Sequence, residues 1–137
     1  MKKNRTVFID TSTHFAIANA KDVDHKAANK FLKELGQDKV TLLVTNFIID
    51  ETYTLMLRKL GREKAIDYIE ALYKSTEIVR ISEDDEKRAW KIILRQEDKD
   101  FSYTDATSFA VMERLGIKEA FAVDKHFEQY GFVRLPA

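Results

Sequence analysis

The chain has 137 residues, 45% of them hydrophobic, with 23 Lys and Arg against 23 Asp and Glu. That length fits one globular domain spanning residues 1–137 with a substantial core, and the zero net charge gives no compositional sign of a nucleic-acid binder. The absence of cysteine excludes disulfides, thiol nucleophiles and thiolate zinc sites, so any metal chemistry falls to oxygen or histidine ligands.

The start is basic but runs directly into a short apolar segment, and no apolar run approaches the roughly 18 residues of a membrane span. The expectation is a cytoplasmic protein with no membrane association. Thr6 to Ile9 reads as a buried strand, halted by the turn and cap types Asp10, Thr11 and Ser12. From Asp24 to Leu35, apolar residues recur at three and four positions, which predicts an amphipathic helix ended by Gly36. Val40 to Val44 is a second strand.

Asn46 is placed to cap a helix carrying Ile49, Tyr53, Met56 and Leu60, and Gly61 separates it from another with Ala65, Ile66, Ile69 and Leu72. Ile78 to Ile81 predicts a third strand and Ser82 a helix reaching about Gln96. Ser102 opens a further helix that ends at Gly116, Ala120 to Val123 is a fourth strand, and Phe132 to Leu135 is a candidate fifth. Short apolar strands alternating with amphipathic helices predict an α/β fold with a mainly parallel, helix-covered sheet. Such sheets bind ligands outside the carboxyl ends of their strands.

Asp10 and Asp124 each follow an apolar strand, and Asp105 lies in the first turn of a helix entering from the same side. Glu51 is flanked at helical spacing by Phe47, Ile48, Thr54 and Leu55, so it points inward, while Asp50 has a more polar set of neighbours. Each acid alone has a structural explanation as well: turn or helix caps for Asp10 and Asp124, a Ser-x-x-Asp capping box for Asp105, a hydrogen-bonded helix residue for Glu51. Four clustered carboxylates repel one another unless cations neutralise them. An all-oxygen set favours Mg2+ or Mn2+ over zinc.

At these residues the chain resembles the PIN-domain proteins, specifically the toxin ribonucleases of bacterial and archaeal VapBC-type toxin–antitoxin modules. The resemblance spans nearly the whole chain and rests on FIDTS at 8–12, TNFIIDETYTL at 45–55, FSYTDATSFAVMERLGI at 101–117 and FAVDKHFEQYGF at 121–132. It implies a three-layer α/β/α fold with a central sheet of four to five strands, and an Mg2+- or Mn2+-dependent endoribonuclease. Matched residue by residue, the family's acids fall on Asp10, Glu51, Asp105 and Asp124. A hydroxyl after the first acid corresponds to Thr11 or Ser12, and one before the third to Thr104; these would orient a carboxylate or a water.

The resemblance further implies an RNA substrate, an antitoxin protein partner and a homodimer. The alternatives are a noncatalytic PIN scaffold, a PIN nuclease of RNA processing, and a phospho-aspartate phosphatase, whose usual second acid is replaced here by Ser12. Arg88, Lys91 and Arg95 share a helix face with acids one turn earlier and read as an ion-paired surface. Arg58, Lys59, Arg62 and Lys64 around Gly61 carry no assignment. Lys125, Asp98, Asp100 and the three histidines, His14, His25 and His126, read as ordinary surface, loop or partly buried residues.

Overall fold

Each of the first four β-strands is short and leads into a helix, directly or through a brief loop, and this alternation generates the architecture. A computed structural model describes residues 5–136; residues 1–4, which hold part of the basic start, and Ala137 lie outside the described residues. The elements are β1 (Thr6–Ile9), α1 (Thr11–Ala18), α2 (His25–Gln37), β2 (Thr41–Thr45), α3 (Asn46–Leu60), α4 (Arg62–Ser75), β3 (Glu77–Val79), α5 (Glu83–Arg95), α6 (Tyr103–Leu115), β4 (Glu119–Phe121), α7 (His126–Tyr130) and β5 (Val133–Leu135).

The five strands form one all-parallel sheet in the order β3-β2-β1-β4-β5. The chain winds outward from β1 through β2 to β3, then crosses back to β4, so the order reverses between β1 and β4. Right-handed crossovers then place the helices of the two halves on opposite faces. Strand alternation shows the division. Ile9 and Phe121 face α1, α2 and α4, where Phe31 meets Phe121 edge-on at 5.0 Å, while Phe8 faces α7 through Phe127 at 5.6 Å. The result is the three-layer α/β/α arrangement expected from the sequence.

Aromatic packing is concentrated on the second face. Phe109 of α6 stacks on Tyr130 at 4.5 Å and meets Phe101 and Phe127 edge-on, each at 5.0 Å. These contacts lock α6, which carries Asp105, against α7, which follows the Asp124 loop.

Several local details differ from the sequence expectation. Thr45, not Asn46, caps α3, because β2 runs extended into the helix and Thr45 Oγ1 accepts from Ile48 N at 3.1 Å. The Asn46 side chain instead accepts from Ile81 N at 2.8 Å, which takes Ile81 out of β3. Helix α2 passes through Gly36 to Gln37, and the left-handed turn residue is Lys39, with φ 55°. Arg88 pairs with Glu113 across to α6 rather than with acids of its own helix. The short α7 has no counterpart in the sequence expectation. Among the described residues, no helix is long and apolar enough to cross a membrane.

Candidate active site

The carboxyl ends of β1 and β4 flank the point where strand order reverses, the position at which open α/β sheets leave a crevice. A cleft of about 600 Å3 opens there, lined by Asp10, Thr11, Ser12, Asp50, Glu51, Thr54, Leu55, Arg58, Ser102, Thr104, Asp105, Asp124 and His126. All four acids singled out in the sequence, and all three hydroxyl residues, border this one cleft.

Asp10 forms the floor. It caps α1, its carboxylate accepting from Ser12 N at 3.3 Å and from Ser12 Oγ at 2.7 Å, and its side chain is almost wholly buried. Burial, followed by the nearby Asp124 charge, pushes its pKa up to about 7, against the stabilising pull of the Ser12 hydrogen bonds and with a further push from Asp105. A carboxylate so placed ionises less readily than an exposed aspartate, and a nearby cation would favour its charged form.

Ser12 does more than tether Asp10. Its Oγ also accepts from Val123 N at 3.3 Å and Asp124 N at 3.4 Å, so one hydroxyl joins the first acid to the loop that bears the last. Thr13 Oγ1 reinforces the junction by donating to Phe121 O at 2.8 Å. Thr11 lies deeper, where Thr52 Oγ1 donates to Thr11 Oγ1 at 3.3 Å and ties α1 to α3.

Asp105 performs two tasks. Its Oδ2 accepts from Ser102 N at 3.1 Å while Ser102 Oγ accepts from Asp105 N at 2.9 Å, completing the capping box of α6. The same Oδ2 lies 2.7 Å from His126 Nδ1. Burial dominates and raises its pKa, opposed by the Ser102 backbone hydrogen bond and His126. The capping and cleft roles therefore coexist. Thr104 borders the cleft, and its carbonyl accepts from Thr107 and Ser108 within α6.

Asp124 lies three residues beyond β4 and is partly exposed, accepting from His126 N at 3.1 Å. Glu51 is half-buried on the α3 wall and Asp50 beside it is exposed, in keeping with the inward direction expected for Glu51, although both border the cleft.

Sequence reading passes over Asp50, Thr54, Leu55, Arg58, Ser102 and His126 as cleft residues. His126 is detectable in principle. It stands two residues after a strand-end acid and just before Phe127, whose complete burial turns α7 so that the imidazole faces Asp105. His14, by contrast, is outside the cleft, buried against Tyr68 with Nδ1 2.7 Å from the phenolic oxygen.

No three His, Asp or Glu side chains among the described residues stand close enough to form a closed ligand set as they are arranged. The donor chemistry nonetheless suits a hard divalent cation: all-oxygen, strongly anionic, with a buried carboxylate lacking a cationic partner. Mg2+ in particular retains several waters and does not require an all-protein cage.

Comparison with known proteins identifies the family. The PIN domain matches residues 7–133. The chain belongs to the PIN-domain family. This PIN domain is 36% identical over 133 residues to the 23S rRNA-specific endonuclease VapC20 of Mycobacterium tuberculosis, covering 94% of this chain and 97% of the relative. It is 36% identical over 115 residues to a VapC ribonuclease of Archaeoglobus fulgidus, covering 80% of this chain and 72% of that protein. The crystal structure of the M. tuberculosis VapC20, described as a sarcin–ricin loop cleaving toxin, superposes with a TM-score of 0.83 and 34% identity, covering 93% of this chain and 96% of that one. The PIN fold recurs at 11% identity and a TM-score of 0.73 in VapBC2 from Rickettsia felis, over 94% of this chain and 96% of that one.

Proposed function

We propose that this PIN domain is a divalent-metal-dependent endoribonuclease and the toxin of a toxin–antitoxin pair, with Asp10, Glu51, Asp105 and Asp124 as its metal-binding acids. The observation that carries this reading is the convergence of these acids on one cleft at the strand-order reversal, with Asp10 buried and held above the usual carboxylate range. The extended similarity to a 23S rRNA-specific endonuclease supports RNA as the substrate and makes 23S rRNA, including its sarcin–ricin loop, the first target to test.

Hydrolysis adds water to phosphorus and expels the 3′ oxygen, leaving 5′-phosphate and 3′-hydroxyl ends. The four acids would hold Mg2+ or Mn2+, which when bound would supply Lewis acidity for the hydrolysis. The chain's own residues arrange the site around that chemistry. Ser12 fixes the direction of Asp10 and couples it to the Asp124 loop, while Ser102 and His126 share one Asp105 oxygen and thereby orient the carboxylate. Thr11 and Thr104 border the same space and can orient water.

An antitoxin would silence the enzyme by covering this acidic cleft, with a basic side chain matching its charge, and the active form would be a cytoplasmic homodimer without membrane attachment. The decisive experiment is a metal-titrated cleavage assay on defined RNAs with end-group mapping, comparing wild type with Asp10→Asn. Mg2+- or Mn2+-dependent cuts absent from the variant are expected. Cleavage surviving undiminished in pure variant protein, or none by wild type with either metal, would overturn the reading.

A further inference from the structure

The acids of the cleft leave its α3 wall only partly explained. Beyond Glu51, α3 presents Thr54, Leu55 and Arg58 to the same space, at the three-, four- and seven-residue spacing that keeps side chains on one helical stripe. Arg58 is the only Lys or Arg among the described residues that lines the cleft. Its sequence neighbours Lys59, Arg62 and Lys64 do not.

Arg58 also differs from the four ion-paired arginines, while Arg62, Arg80 and Arg95, likewise without an ion pair among the described residues, do not line the cleft. Arg5, Arg88, Arg114 and Arg134 each hold a carboxylate, with N–O distances of 2.8, 3.1, 2.9 and 3.1 Å. Arg58 is exposed and forms no ion pair among the described residues, although five carboxylates line the cleft it borders. A planar guanidinium held free in this way matches the bidentate geometry of a phosphate. A polyanion entering an acidic cleft needs such a group.

Position along α3 sets which phosphate it meets. Arg58 is two helical turns from Glu51, about 10 Å along the axis, and so is displaced from the acids that face the scissile bond. One turn before Glu51, Phe47 stacks on Tyr103 with ring centroids 6.2 Å apart, bridging α3 and α6, and neither ring lines the cleft. Arg58 lies at the opposite end of the α3 stripe.

We propose that Arg58 binds a phosphate of the RNA strand that neighbours the scissile one, so that the substrate runs along α3 and leaves the cleft past this residue. The inference rests on the ribonuclease reading and adds to it a substrate-binding residue. A rival role is simple complementation of the α3 macrodipole, since Arg58 and Lys59 both lie in its last turn. Lys59, equally cationic but outside the cleft, is the control.

The test measures binding of a short fluorescent single-stranded RNA by anisotropy in an Asp10→Asn background over a range of salt, and cleavage kinetics in the otherwise unmutated chain. Arg58→Ala should raise Kd and KM about tenfold or more. It should also make the salt slope of log K shallower by about 0.7, the share that one phosphate contributes on a single strand. Arg58→Lys should recover part of the affinity, and Lys59→Ala should alter neither quantity. Equal behaviour of Arg58→Ala and Lys59→Ala, or unchanged Kd and slope, would overturn the proposal. Metal-dependent cleavage abolished by Asp10→Asn but indifferent to Arg58→Ala removes this inference and leaves the ribonuclease reading intact. Arg58-dependent RNA binding without cleavage removes the ribonuclease reading and leaves of this inference only the RNA contact of Arg58, and failure of wild type to bind RNA removes both.

Discussion

The two walls of the cleft are built differently. On one side, Asp105 and Asp124 accept backbone N–H groups, from Ser102 and His126 respectively, the His126 ring lies 2.7 Å from Asp105, and α6 and α7 behind them are locked by the Phe109 aromatic cluster. On the other side, α3 offers Glu51, Asp50 and Arg58 with no hydrogen bond or ion pair to their charged groups among the described residues. Asp10, on the floor, belongs to the fixed side through Ser12. The contrast separates preorganised groups, whose geometry the fold determines, from groups left available to cation, substrate or partner.

Breaking the fixed side at its centre should have the largest effect. Asp10→Asn is expected to lower cleavage by about a thousandfold, read as kcat/KM under saturating metal. The same substitution has an opposite signature in stability. Because folded Asp10 keeps its proton up to about pH 7, whereas an unfolded aspartate releases it near the ordinary value of about 4, metal-free wild type loses stability as pH rises between those values. That loss is complete above about pH 7. Asp10→Asn removes this slope, so in metal-free buffer at pH 8 the variant should be more stable, on the order of a few kcal/mol, by denaturant titration. A variant with an unchanged pH slope would show that Asp10 is not the strained carboxylate.

The second largest effect comes from the scaffold behind that wall. Phe109→Ala should cost about 3–5 kcal/mol in urea-melt stability, because Phe109 is fully buried among four aromatic rings. A loss below about 1 kcal/mol would mean the cluster does not brace α6 against α7. Next, Ser12→Ala should reduce metal affinity or turnover about ten- to a hundredfold while the fold survives, measured by metal titration of cleavage. Smallest in stability is Glu51→Gln. It should weaken cleavage yet leave metal-free stability within about 0.5 kcal/mol, since the folded chain gives this carboxylate no partner to forfeit. A large destabilisation there would erase the distinction between the walls.

This division also explains how far the sequence can be read. Strand-end acids such as Asp10 and Asp124, and the Ser102–Asp105 capping box, are local patterns whose geometry follows from a few adjacent residues. The α/β order is equally local, because each strand and helix carries its own periodicity. Glu51 is legible from its apolar helical neighbours alone. The His126 contact is not, because it depends on α7, a five-residue helix set by burial of Phe127 rather than by any repeating pattern. Arg58 is ambiguous for a related reason: four cations surround Gly61, and its place on the α3 stripe with Glu51, Thr54 and Leu55, which Lys59 does not share, brings it to the cleft. Thr45 displaces Asn46 as the cap of α3 through a tertiary contact, the capture of Ile81 N, that lies 35 residues away.

The brevity of the outer strands has a further consequence. With formal charges balanced at 23 of each sign, the chain has little electrostatic protection against self-association at neutral pH. Yet the sheet ends on β3 and β5, three residues each, which are poor templates for adding a strand from another molecule. Assembly, whether with a second copy or a different protein, is thereby directed to side chains on helix faces. Interfaces of that kind can be retuned one residue at a time without disturbing the sheet that holds Asp10 and Asp124 in place.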